Sequence, residues 1–217
     1  MHTKTYITDD NTTLVSESFM YLKKYLDMVS YGQISIPFLT RFKKVIINNA
    51  RSNFRVDEVK SLLSRGIFQD IEEIEIKNTD GRFCTIDGML YSKNARRLYF
   101  CPRGIDGTLV IPDGTDTITE GSCGNCNLSK VIIPDSVKRI DGFAFTRNYA
   151  LEYVEGCKNV ERINDYAFAY CKQLKKFPFG EFIKNIGSCA FCDTMLTEIY
   201  LPEGLSRVGR QAFNTTY

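Results

Sequence analysis

The sequence predicts a repeat solenoid: short strands in a parallel β-sheet, a mostly irregular or short helical opposite wall, and a helical cap at the N-terminal end. Two observations carry this prediction. Apolar anchors recur at Ile118, Ile140, Ile163, Ile186 and Val208, in steps of 22, 23, 23 and 22 residues. The same phrase also follows the anchors in the same phase. Ala144-Phe145, Ala167-Phe168, Ala190-Phe191 and Ala212-Phe213 stand four and five residues on, with Ser122-Cys123 in the first unit. One such unit cannot bury its own apolar face. Stacked units turn equivalent positions into continuous core columns.

Taken in chain order, residues 1–41 read as a helical cap. Leu14, Phe19, Leu22, Leu26 and Val29 recur with helical spacing. Residues 42–108 read as a divergent strand–helix–strand unit followed by a β-hairpin spacer. FKKVIIN (42–48) and IEEIEIK (71–77) share an apolar–x–x–apolar–x–apolar pattern, so the sheet is expected to begin near residue 42. Between them Val56, Val59, Leu62 and Leu63 lie on one helical face, with Gly66 as the stop. Residues 83–102 contain Asp87-Gly88 between apolar runs, the signature of a hairpin.

Residues 109–217 hold the repeats. A leucine (Leu128, Leu151, Leu174 or Leu196) opens LSKVIIP, LEYVEGC, LKKFPFG and LTEIYLP. Each is expected to be a short strand with alternate residues pointing inward. Pro112, Pro134 and Pro202 stop strand runs. The anchor and its Ala-Phe should form the opposite wall, where Ala permits close approach and Phe fills the interior.

Eight cysteines include two Cys-x-x-Cys pairs, Cys123/Cys126 and Cys189/Cys192. In a stack these pairs sit three rungs, roughly 14 Å, apart. Four sulfurs at ~2.3 Å from one zinc cannot span that distance, so no metal site is expected. A disulfide between neighbouring rungs, such as Cys171 with Cys192, is the competing reading. Cys126 and Cys171 occupy the position of Asn148 and Thr216 in other units. A short polar or thiol side chain there can satisfy backbone groups in a buried turn.

The phrase I-x-x-x-A-F-x-x-C/N-x-x-L-x-x-V-x-I-P resembles the BspA-like, or Treponema pallidum, type of leucine-rich repeat. The resemblance covers 109–217, and the D-G-M-L-Y segment at 87–91 is similar to a spacer of that family. It implies a right-handed, curved solenoid of leucine-rich-repeat type. It also implies adhesion or host interaction, since the family occurs in bacterial surface adhesins that bind matrix proteins. The motif is structural and implies no catalytic residues.

Composition agrees with a binding module. Net charge is +2, from 28 basic and 26 acidic residues, so no overall field attracts nucleic acid. No apolar run is long enough for membrane insertion. The only histidine is His2, which leaves Ser–His and Cys–His catalysis unsupported. No phosphate loop, dinucleotide fingerprint or cofactor motif is present. The chain therefore reads as a non-enzyme without cofactors. Without a signal peptide it reads as cytoplasmic, and as surface-exposed or secreted if a signal was removed. The expected partner is a protein ligand held on the outward strand face. Its candidate residues are Lys130, Ile132, Tyr153, Glu155, Lys176, Pro178, Glu198 and Tyr200. The chain stops at Tyr217 within a unit, which suggests a homo-oligomer through solenoid ends as the alternative.

Overall fold

Two short strands open the molecule. β1 (Thr5–Ile7) and β2 (Thr13–Ser16) pair antiparallel around a turn tied by Asp10, whose carboxylate accepts from Thr8 and Thr12. The structure, a computed structural model, describes residues 5–8, 10, 12–33, 42–48, 55–77 and 81–214. His2, Thr216 and Tyr217 lie outside the described residues. Helix α1 (Phe19–Ser30) follows β2, with the Ser18 hydroxyl capping it by accepting from the Tyr21 N–H at 3.4 Å.

This corrects two expectations. Leu14 belongs to a strand, so the helix starts later than its apolar spacing implied. The sheet also begins with the hairpin rather than near residue 42: β2 pairs in parallel with β3 (Lys44–Ile47), Leu14 beside Val45. Leu14 happens to fall in phase with Leu22 and Leu26, and all three enter the same core. The β-branched Thr13 and Val15 and the turn-forming Ser16 and Ser18 favour strand and cap there.

Helix α2 (Val56–Leu63) starts with the Glu58 carboxylate accepting from the Arg55 N–H at 2.8 Å. It buries Val59, Leu62 and Leu63 and leads to β4 (Glu73–Ile76), parallel to β3. Strands β5 (Phe83–Ile86), β6 (Met89–Ser92) and β7 (Arg97–Phe100) form the expected antiparallel spacer. Both of its faces are buried. Phe83, Leu90 and Phe100 enter the N-terminal core, whereas Met89, Tyr91 and Leu98 enter the core of the repeats. The two-residue period of a strand lets one ribbon serve both cores.

The repeats then alternate between two walls. On one wall β8 (Asp106–Val110), β10 (Asn127–Ile133) and β12 (Tyr153–Gly156) form a parallel sheet. On the other lie two-residue strands: β9 (Thr117–Ile118), β11 (Arg139–Ile140), β13 (Arg162–Ile163), β14 (Asn185–Ile186) and β15 (Arg207–Val208). They run parallel in one register, so Leu98, Ile118, Ile140, Ile163, Ile186 and Val208 make one column. All but Val208 are fully buried. The opposite wall thus has a regular thread within otherwise irregular turns.

Segments 174–179 and 196–201, read from spacing as strands, are not regular strands. Pro178 has no N–H to give a ladder, and Phe179 N–H turns back to the Phe177 carbonyl at 3.0 Å. Phe177 packs edge-on against Phe168 and Phe191, at 5.0 and 4.9 Å between ring centroids.

The turn after each anchor repeats in backbone detail. The third residue on (Gly121, Phe143, Tyr166, Cys189, Gln211) and the seventh (Asn125, Arg147, Tyr170, Asp193) are left-handed, with φ between 52° and 63°. A left-handed non-glycine residue costs ~1–2 kcal/mol. Inter-rung hydrogen bonds offset it: N–H groups of Cys123, Phe145, Phe168 and Phe191 each donate to the alanine carbonyl of the next rung at 2.8 Å.

Cysteine and asparagine then complete the buried turn, as the sequence implied. Asn148 Nδ2 donates to the Cys123 and Phe145 carbonyls, both at 2.8 Å. Cys171 Sγ donates to the Phe145 carbonyl at 3.3 Å, and Thr194 Oγ1 to that of Phe191 at 2.8 Å. All eight cysteines are free thiols, so no disulfide joins Cys171 to Cys192. We expect Asn148→Ala to cost about 1–3 kcal/mol in chemical denaturation, because the buried Cys123 carbonyl loses its donor and the Phe145 carbonyl keeps only Cys171 Sγ. Asn148→Cys should recover part of that loss. Equal stability of all three proteins would contradict this role.

Candidate recognition surface

The outward face of the β8–β10–β12 sheet is built from residues that alternate with its core. Leu109, Val131 and Val154 point inward. Register then places Thr108, Lys130 and Tyr153 in one outward column, and Val110, Ile132 and Glu155 in the next. Lys130 Nζ reaches Glu155 Oε1 at 2.7 Å across the two columns. Beside that pair Tyr153 is 61% exposed and Val110 54%. An exposed aromatic ring on a regular sheet beside an ion pair can bury area against a partner at little entropic cost.

The eight sequence-derived candidates divide in two. Lys130, Ile132, Tyr153 and Glu155 share one regular sheet. Lys176, Pro178, Glu198 and Tyr200 lie on the two following rungs, outside regular strands. Lys176, Glu198 and Tyr200 are exposed there and Pro178 is half-buried. Ile199 and Leu201, which spacing predicted as inward, are instead about 40% exposed. Val110 is the contact-capable residue left out of the candidate set, although the strand alternation that turns Ile132 outward turns it outward too.

Off this face, a cleft of about 560 Å³ lies between α2 and the turn wall, lined by Lys60, Ser64, Tyr99, Glu120 and Asp141 among others. Burial lowers the proton affinity of the Lys60 amine. The amine donates to the Glu120 carbonyl, which later rungs satisfy with the N–H of a preceding rung. Cys101 N–H does the same for the Ser122 carbonyl at 2.7 Å. Lys60 and Cys101 therefore cap the first repeat, which accounts structurally for the lysine in the cleft. Burial pushes the Cys171 thiol up to about 12, far from the range in which a thiolate attacks at neutral pH.

The sequence match follows the geometry. A family model described as the BspA type leucine rich repeat region matches residues 105–217, in six copies, more than half of the chain. The chain belongs to this family. Among solved structures, the BspA-type chain is similar to a leucine rich cell surface protein from Faecalibacterium prausnitzii. The two share 20% identity with a TM-score of 0.55, over 77% of this chain and 50% of that one. It is also similar to the pneumococcal vaccine antigen PcpA, at 16% identity and a TM-score of 0.59, over 80% of this chain and 47% of that one. A leucine rich repeat protein of T. pallidum shares 26% identity at a TM-score of 0.48, over 49% of this chain and 53% of that one. The BspA-type chain thus spans about half the length of each of these. Comparison with curated proteins finds no match. Leucine-rich-repeat solenoids of this kind serve as protein-interaction scaffolds. Among the described residues no helix is long and apolar enough to cross a membrane.

Proposed function

We propose that this chain recognises a protein ligand through its outward strand face, in adhesion or host interaction. The observation that carries the reading is the outward face of a regular sheet with exposed Tyr153 and Val110 and half-buried Ile132, crossed by the Lys130–Glu155 pair. Tyr200, 77% exposed, extends it toward later rungs. Lys176, Pro178 and Glu198 complete the contact residues. Two relatives of the fold are a leucine rich cell surface protein and a pneumococcal vaccine antigen, and a surface role for this chain agrees with that.

The test offers extracellular-matrix proteins, and separately a lysate of the source cell, to wild type and to Tyr153→Ala/Tyr200→Ala. Loss of two aromatic contacts of ~2 kcal/mol each should weaken a matrix-protein complex by roughly 1000-fold. A matrix partner held by wild type and released by the double variant supports the reading. No matrix partner, or one held equally by both proteins, overturns it. Self-assembly through the solenoid end is the second reading, favoured by the exposure of Ile199, Leu201 and Val208. A mass that rises with concentration in light scattering would support it, and a constant monomer mass would remove it.

A further inference from the structure

The wall opposite the strand face carries a charge pattern of its own. In the register of the two-residue strands, Arg97, Thr117, Arg139, Arg162, Asn185 and Arg207 form one column. The residues just before them form a second: Arg96, Asp116, Lys138, Glu161, Lys184 and Ser206. Seven of these twelve positions are basic and two acidic, against near balance in the whole chain.

Two of the arginines are neutralised: Arg96 by Asp116 at 2.7 Å, and Arg139 by Asp141 at 2.8 Å. Arg97, Lys138, Arg162, Lys184 and Arg207 are exposed and, among the described residues, make no ion pair. Glu161 lies between Lys138 and Lys184 in its column and pairs with neither. Lys138, Arg162, Lys184 and Arg207 thus supply one free cation on each of four successive rungs, alternating between the two columns. The rise per rung is ~4.8 Å. A shallow groove of about 370 Å³ marks the first part of this strip, from Arg96 to Arg162.

The hydrogen-bonded ladder holds the free cations at fixed spacing. A bound polyanion would therefore meet them without an ordering cost in the backbone. No aromatic side chain occurs at any of the twelve positions. The stacking platform used for single-stranded nucleic acid is therefore missing from the strip. The planar guanidinium of arginine accepts tetrahedral oxyanions through paired N–H donors. We propose that this strip binds a linear sulfated polysaccharide laid along the solenoid axis, independently of the strand face.

The test is the full chain on immobilised heparin, with binding measured across a salt series. The strip variant is Arg162→Ser/Lys184→Ser/Arg207→Ser. The control, Lys23→Ser/Lys24→Ser/Lys175→Ser, removes the same charge from exposed sites elsewhere. The strip variant should bind roughly tenfold more weakly near physiological salt, with the slope of log affinity against log salt reduced by about three. The control should bind like wild type, and circular dichroism should show both variants folded. Passage of wild type through the column at low salt overturns the proposal. So does an equal loss in strip and control variants, which would mean net charge alone. Displacement of heparin by a single-stranded oligonucleotide at equal charge concentration would reassign the strip to nucleic acid.

Discussion

Phe168→Ala is expected to lower unfolding stability by about 3–5 kcal/mol. Phe168 is fully buried, stacked between Phe145 at 5.0 Å and Phe191 at 5.3 Å, with Phe177 against its edge. Removing it opens a cavity in mid-column. The flanking rungs cannot close over it, because the 2.8 Å bonds from Phe145 N–H to Ala167 and from Phe168 N–H to Ala190 set their spacing. Each rung of a solenoid contacts only its neighbours, so the loss falls on two interfaces at once. Guanidinium unfolding of wild type and variant measures it. A midpoint that does not move would remove the phenylalanine column from the core.

Gly156→Ala is the second large effect, expected at about 3 kcal/mol. Gly156 ends β12 with φ at 89°, beside Ile133 of β10. A Cβ there would stand 1.8 Å from the Ile133 carbonyl oxygen. Backbone must therefore shift in a sheet that also presents Tyr153 and Ile132. Gly121→Ala is the comparison. Its φ is 61°, but its Cβ would meet nothing within 4 Å, so only the left-handed backbone cost of ~1–2 kcal/mol is incurred. Thermal unfolding of both variants separates close approach from conformational preference. Equal losses would contradict the packing at Ile133.

The repeat phase was legible because the anchors and the Ala-Phe pairs serve one core. Ile118, Ile140, Ile163 and Ile186 are each fully buried in one register. The two-residue strands around them were not legible, since two residues cannot show a period. At 174–179 the inward alternation reads as a strand, but a ladder also needs an N–H at Pro178. Leu14 was misplaced because one leucine fits either period. The outward columns from Thr108 to Glu155 could be written down in advance, since register followed from the repeat phase. The basic strip escaped notice because whole-chain charge cancels it. Its signal is the residue before the anchors, T-I, R-I, R-I, N-I and R-V in order, basic in three of the five.

The turn wall also has a direction. Three N–H groups per turn, at the third, fifth and seventh positions after the anchor, donate to the following rung. Examples are Tyr166 to Ser188, Phe168 to Ala190 and Tyr170 to Cys192, at 2.8 to 3.0 Å. At these positions the last rung offers donors, whereas at the other pole Lys60 and Cys101 already occupy the Glu120 and Ser122 carbonyls. Two copies meeting by a two-fold axis at like poles would set donors against donors, so this wall cannot join them. A head-to-tail copy would meet acceptors already filled by Lys60 and Cys101, so the wall grows in one direction only and is closed at the first repeat.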